Sequence, residues 1–371
     1  VIFMNSVYTV KAGQRHYQWG SHLLYGLFGL PIQDDKPLAE LWLGGHPSLP
    51  SKVQLDDNSW QTLDKFLEQK PLNFLLKVLS ASQPLSLQVH PNNTQAKEGF
   101  ERENAQHIPL DAPHRNYKDA YAKPEMVMAL SPFKIMVGFK KLEDITDNLN
   151  LIQSDTLNAI LQSDAFNHQT LLLSLLQLAP EDKQHIIAQA LSIGIGHNDP
   201  MWQQLVELAH YYPSDIGVLA PLYMNCLTLE PGEAMYLPAG TIHAYTKGTC
   251  IELMGCSDNV LRAGLTPKYI DTAELMACTQ FTSFTPEKLT PMLVESEQIL
   301  QPTETDFGLA LCQVTEHEQS LMVTSRSILL VAKGRVQFNG TVLLAGQSLF
   351  IESGAYKVSG DGLLVRAFES K

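Results

Sequence analysis

Cysteine is scarce, basic charge is in deficit and no long apolar run occurs in this 371-residue chain. The five cysteines (Cys226, Cys250, Cys256, Cys278 and Cys312) are odd in number and show no C-x-x-C spacing, which argues against a disulfide framework or a thiolate zinc site. A reducing cytoplasm fits that usage. Lysine and arginine number 26 against 39 acidic residues, a formal charge of −13, so no electrostatic footprint for nucleic acid or an anionic membrane is expected. An anionic substrate would have to meet a local basic cluster. No segment approaches the roughly 20 uninterrupted apolar residues of a membrane helix. Val1 to Val10 has neither the basic start, the apolar stretch nor the small-residue site of a signal peptide, so a soluble protein is expected. What is present is an ordinary globular balance, 44% hydrophobic and 18% charged, in a chain long enough for two or three domains.

Strand-like text dominates the first third. Asn73 to His90 gives two short apolar runs separated by a Ser/Gln/Pro break, and Phe133 to Phe139 gives another. From Leu142 to Tyr212 leucines recur at spacings of three and four, which predicts a helical block with starts at Ser154, Asn167, Pro180 and Asp199. Strand text resumes at Leu222 to Leu229, and from about Phe307 alternating runs punctuated by glycine predict a second all-β unit. Pro231 to Tyr245 lies on Ala345 to Ser359 without a gap, with Gly232 on Gly346, Tyr236 on Phe350, Gly240 on Gly354 and His243 on Lys357. If that repeat is real, only the first unit keeps a ligand.

Three segments carry candidate metal chemistry. In PLSLQVHP, Gln88 and His90 are two apart on a strand and project from one face. In YKDAYAKPEM, Glu125 enters an apolar run, which is costly for a carboxylate unless it is paired or metal-bound. In PAGTIHAYTKG, a Pro-Ala-Gly turn delivers His243 onto a strand with Tyr245 on the same face. Taken singly, His90 reads as a hydrogen-bonded structural histidine and Glu125 as a solvated strand-edge residue. Together, two histidines and a carboxylate form a site for a divalent metal, with Gln88 as a neutral oxygen donor. A fourth segment, Ile251 to Asp271, adds Arg262 as a planar donor fork and Lys268 as a point charge, both suited to phosphate unless they pair with Asp258 or Asp271.

The motifs YQWG (Tyr17 to Gly20), AELWLGGHP (Ala39 to Pro47), PLNFLLKVLSASQPLSLQVHP, YKDAYAKPEM, PAGTIHAYTKG and SDNVLRAGLTPK run in order from residue 17 to 268. In these the chain resembles the type I mannose-6-phosphate isomerase family, also called phosphomannose isomerases, of the cupin superfamily. The resemblance implies a mainly β fold of two cupin-like barrels (jelly rolls) with a helical insert. The expected division is 1–140 and 216–280 for a catalytic cupin domain, 141–215 for a helical domain, and 281–371 for a C-terminal cupin-like domain without metal ligands. It implies one zinc ion at Gln88, His90, Glu125 and His243, and an active-site arginine at Arg262. It also implies substrate-pocket positions at Trp19, Glu40, Lys77, Ser86, Lys123, Tyr245, Glu252, Asp258 and Lys268. Where the family usually has Asn-His before Lys-Pro-Glu, this chain has Tyr121-Ala122, so either another group or solvent takes the ring-opening role suggested for that histidine, or the role is dispensable, or the substrate preference has shifted.

The implied reaction moves a proton between C1 and C2 of a hexose 6-phosphate through a cis-enediol. Glu252 and Lys123 are both candidates for the proton transfer, and Lys268 for the phosphate. The expected partner is a small sugar phosphate, with no nucleic acid, no membrane and a monomeric chain. Two other readings remain at this level. An iron-dependent cupin oxygenase would use the same two histidines and carboxylate and would consume oxygen, and a sugar-phosphate sensor would bind without turnover.

Overall fold

The computed structural model describes residues 7–33 and 35–370. The first six residues of the run read for a signal peptide, which also open the expected first domain segment, lie outside the described residues, as do Asp34 and Lys371. Strand predominates, and helices gather between Leu142 and Tyr223.

The helical starts fall where the capping residues place them. Ser154 accepts a hydrogen bond from the Leu157 amide, Asn167 forms a reciprocal box with Thr170, Pro180 opens its helix and Asp199 caps the next. Each such cap contributes about 1 kcal/mol. The buried faces, Leu171 and Leu175, Ile186 and Ala190, Trp202 and Leu205, pack with Val89, Met136 and Leu261 in one core cluster, so the helices brace strands on which the site stands. The block continues past Tyr212 into Ala220–Tyr223, and the strand expected from Leu222 begins at Met224. Pro221 near the start of that short helix sets the later boundary.

Beyond the helices the described residues form two large antiparallel sheets. One runs in the order Met224–Leu229, Phe133–Phe139, His243–Gly255, Phe74–Ala81, Glu40–Leu43, Gly13–Arg15. The His243–Gly255 strand is its hub, pairing with Phe74–Ala81, Leu87–Val89, Glu125–Ala129 and Phe133–Phe139 along its length. All eight residues of Phe74–Ala81 are buried, which is why that strand reads as a continuous apolar run with Lys77 as its one charge. The other sheet holds the C-terminal strands and departs from the expected division in one respect. Val7–Lys11, Lys52–Gln54 and Trp60–Thr62 pair into it, through Val7–Lys11 beside Ser348–Ile351. That pairing covers an edge that would otherwise expose unpaired backbone groups. A shared apolar cluster, including Leu41, Val78, Ile251, Ile328 and Phe350, joins the two sheets. At about 1.5–3 kcal/mol per fully buried large apolar side chain, it is a substantial part of what holds them together.

The repeat read from the sequence has a structural counterpart in register. Ala234–Leu237 and Ser348–Ile351 are strands with matching bounds, each preceded by a glycine at positive φ, Gly232 at 90° and Gly346 at 88°. Leu237 lies opposite Glu125, and Ile351 lies opposite Ser327. Val127 lies opposite Glu252, and Leu329 opposite Arg366. The second sheet therefore has serine where the first has Glu125, lysine where it has His243, and a buried Arg366 to Glu297 ion pair near the position of Glu252. Apolar residues such as Val331, Phe338 and Tyr356 pack its interior.

Candidate metal centre and substrate cleft

Gln88 stands at the middle of a short strand, directly opposite both His243 and Arg262 on its two neighbours. Cross-strand partners share a face, so the three side chains converge. His90 follows at the strand end. The Gly240 amide donates to the His90 carbonyl at 2.9 Å. Gly240 has φ +81°, and a Cβ there would stand 3.0 Å from the Cys278 carbonyl oxygen, so the turn that delivers His243 requires glycine.

His90, Glu125 and His243 are buried, and their ligand atoms lie within 4.8 Å of one another. The Nε2 atoms of His90 and His243 are each 3.2 Å from a different oxygen of Glu125. The Gln88 amide comes within 3.5 Å of His243 Nε2. The other ring nitrogens fix the tautomers. His90 Nδ1 is 2.6 Å from the Asn259 carbonyl and His243 Nδ1 is 2.9 Å from that of Thr241. A carbonyl only accepts, so each Nδ1 carries the hydrogen and each Nε2 presents a lone pair to the centre. His90 Nε2 accordingly has no hydrogen-bond partner despite complete burial, and Glu125 Oε1, though paired with Lys123 at 2.8 Å, forms no hydrogen bond of good geometry. A buried polar atom without a partner is costly, and a shared cation would satisfy His90 Nε2 and coordinate the carboxylate. Zinc bonds of about 2.0–2.1 Å in tetrahedral geometry separate ligand atoms by about 3.3 Å. The observed spacing and the donor set fit that ion.

The electrostatics follow from burial. Burial alone would raise the Glu125 pKa, but Lys123, 2.8 Å from Oε1, and His90 hold it well below the ordinary carboxyl value. Burial, reinforced by Lys123, lowers His90 to about 4. Tyr245 bridges Glu125 at 3.3 Å and Glu252 at 3.0 Å, and burial beside these carboxylates pushes its phenol well up. Lys77 lies 3.2 Å from Glu252 and 3.7 Å from Glu40. Burial opposes its charge, yet Glu40 and Glu252 outweigh burial and raise its pKa. Glu252 itself is raised, because burial exceeds the help of Lys77. Trp42 Nε1 donates to Glu40 at 2.8 Å, and Lys77 sits over the Trp42 ring.

Arg262 and Lys268 form no ion pair among the described residues, so the pairing with Asp258 or Asp271 considered from sequence is not made. Burial lowers both pKa values, and for Lys268 the neighbouring Arg262 and Lys118 add to it. Trp19 is half-buried, stacked on Tyr17 and packed against the apolar cluster that includes Tyr245. Ser86 is half-buried two residues before Gln88, without a side-chain hydrogen bond among the described residues. Asp258 lies 3.5 Å from His46.

Sequence reasoning missed the carbonyls of Asn259 and Thr241, which orient the two histidines, and the side chain of Asn259. That side chain binds the Lys118 amide at 2.7 Å and the Asp119 and Tyr121 carbonyls at 2.9 Å, pinning the loop before Glu125. A lysine inside an unbroken apolar strand was the available signal for Lys77, which came only through resemblance.

Fold and cluster define a β-sheet protein with a candidate metal centre beside positive charge that lacks counter-ions among the described residues. Residues 7–142 match the family model described as phosphomannose isomerase type I, catalytic domain. The mannose-6-phosphate isomerase of Salmonella typhimurium is 37% identical, over 95% of this chain and 97% of its own. The chain belongs to the type I mannose-6-phosphate isomerase family. The human mannose-6-phosphate isomerase is 33% identical, over 89% of this chain and 88% of its own. Among solved structures, a zinc-bound mannose 6-phosphate isomerase is 35% identical with a TM-score of 0.91, over 99% of this chain and 100% of that one. The Salmonella typhimurium enzyme bound to its substrate, fructose 6-phosphate, and to zinc has a TM-score of 0.90 at 35% identity, with the same coverage.

Proposed function

We propose that this chain is a zinc-dependent aldose-ketose isomerase that interconverts mannose 6-phosphate and fructose 6-phosphate through a cis-enediol. One observation carries the reading: two oriented imidazole lone pairs and the Glu125 carboxylate meet at one buried point. Gln88, His90, Glu125 and His243 would hold one zinc ion per chain. Zinc, when bound, supplies Lewis-acid polarisation and positioning of a substrate oxygen.

The chain's own residues supply the rest. Lys268 holds the phosphate, and the Arg262 guanidinium offsets the negative charge that develops as the enediol forms. Glu252 is the base this geometry favours for moving the proton between C1 and C2. Its pKa is already raised, whereas Lys123 is engaged as counter-ion to Glu125. Lys123 holds that carboxylate and adds positive charge at the cleft. Trp19, Glu40, Lys77, Ser86, Tyr245 and Asp258 shape the pocket. Two cupin-like barrels with a helical domain between the halves of the first accommodate the sheet pairing described above, apart from the three N-terminal strands lent to the second. The enzyme acts as a cytoplasmic monomer on a free sugar phosphate.

Formation of fructose 6-phosphate from mannose 6-phosphate, followed before chelation, after chelation and after zinc is restored, tests the reading. Activity should vanish and return. Turnover that survives complete removal of metal contradicts it.

A further inference from the structure

Between Arg262 and Lys268 the chain takes an unusual path. Arg262 is fixed by the strand that pairs it with Gln88. The register then slips, and Gly264 and Leu265 adopt positive φ, +141° and +53°. For leucine that backbone is strained and persists only where the surroundings hold it. Its side chain supplies one anchor, 1% exposed and within the core cluster that contains Ile216 and Val218. Past Leu265 the packing ends. Pro267, Lys268 and Tyr269 are exposed, and Thr266 and Pro267 line an open cavity beside Tyr212 and Asp215.

One carboxylate from the helical block spans that gap. Asp215 Oδ1 accepts from the Gly217 amide at 2.8 Å, which caps the short turn Ile216–Leu219. Capping needs only that oxygen. Oδ2 accepts from the Thr266 amide at 3.0 Å, 51 residues further along the chain. Thr266 Oγ1 in turn accepts from the Lys268 amide at 3.1 Å. The two backbones close tightly around the carboxylate. A Cβ on Gly217 would stand 2.9 Å from Asp215 Oδ1 and 3.0 Å from the Leu265 nitrogen, and one on Gly264 would stand 3.2 Å from the same oxygen. With an amide on each oxygen, Asp215 acts on Lys268 through the backbone, and the charges that Lys268 feels are those of Arg262 and Lys118. We infer that Asp215 is a positioning residue: through Thr266 it ties the helical block to the loop of Lys268 and sets where that lysine meets the substrate phosphate. The phosphate ester takes no part in the bonds that change, so its grip is equal in ground state and transition state. Weakening that grip raises KM and leaves kcat nearly unchanged. The inference rests on the isomerase reading above, in which Lys268 holds the phosphate.

The test uses the zinc-loaded enzyme and two constants, KM for mannose 6-phosphate and Kd for inorganic phosphate by calorimetry. Lys268→Ala should raise both by roughly 10–100-fold. Asp215→Ala should raise both on the order of tenfold, with kcat within about threefold of wild type and zinc content unchanged. In the Lys268→Ala background, Asp215→Ala should add less than about twofold, because its effect passes through that lysine. Thr266→Val keeps the amide on Asp215 and deletes the hydroxyl, so it covers the case in which Asp215→Ala does not fold. It should raise both constants roughly fivefold, and Thr266→Ser, which restores the acceptor, should bring them back to within about twofold of wild type. The inference is overturned if the two constants stay at wild type in these variants or in Lys268→Ala, if kcat falls while KM holds, or if the Asp215→Ala penalty is undiminished without Lys268. A wild-type, zinc-loaded chain that makes no fructose 6-phosphate overturns the isomerase reading instead, and the phosphate affinities still test the role of Asp215.

Discussion

Replacing Lys77 by methionine removes the cation between two buried carboxylates and over the Trp42 ring while keeping most of the aliphatic stem. Lys77, Glu252 and Glu40 have side chains 7%, 4% and 8% exposed. Deleting one partner of a buried ion pair costs about 3–5 kcal/mol. Protonation sets a ceiling on that loss. At pH 7 the folded variant can neutralise Glu252 at about 1.4 kcal/mol per pH unit above the ordinary carboxyl value, or roughly 3 kcal/mol. The Glu252 pKa already stands above the unfolded value, and it rises further without Lys77. The folded variant therefore binds more protons than the unfolded chain, and its stability falls as pH rises. The deficit against wild type should be about 3 kcal/mol at pH 7 and shrink by about 1.4 kcal/mol per unit toward pH 5. Urea denaturation of metal-free protein, followed by tryptophan fluorescence at several pH values, measures it. The combined Lys77→Met and Glu252→Gln variant should recover more than half of the loss. A deficit that is independent of pH, or below about 1 kcal/mol at pH 7, refutes the electrostatic reasoning.

Arg262→Ala should lower kcat by roughly 10²–10³-fold with zinc content unchanged by metal analysis; near-wild-type turnover would remove Arg262 from the chemistry. Asn259→Leu frees the loop whose carbonyl orients His90 and should weaken zinc binding about 10–100-fold in a chelator competition. His90 stands at about 4 in the folded chain, below its unfolded value. The unfolded state thus binds the extra proton first, and metal-free protein should lose of order 3 kcal/mol as pH falls from about 6.5 to 4. That slope should flatten in His90→Gln. Arg366→Met strands buried Glu297 in the second sheet and should cost about 3–5 kcal/mol of stability without altering zinc content or kcat.

Helix starts were legible because caps are local chemistry: Ser154, Asn167 and Asp199 each satisfy an amide two or three residues away. His243 was legible as a motif, since a turn glycine, a histidine and an apolar strand lie adjacent in sequence, whereas His90 and Glu125 gained meaning only in combination with it. What could not be read was register. Gln88 meets His243 and Arg262 because three strands far apart in sequence align at one level. The carbonyls that orient the histidines carry no side-chain signature at all. The division expected from the resemblance put the Val7–Lys11 strand in the first unit, yet it pairs beside Ser348–Ile351, where an open edge and the shared core reward it. The His46 and Asp258 pairing was hidden for the same reason: 3.5 Å in space separates residues on distant segments.

Anomalous diffraction at the zinc absorption edge, on crystals of the zinc-loaded protein, tests the central claim most directly. One peak should stand about 2.0–2.1 Å from the nitrogens of His90 and His243 and an oxygen of Glu125, with the Gln88 amide oxygen completing the shell. No peak there, or a peak bound by other residues while these four side chains turn to separate partners, would contradict the account.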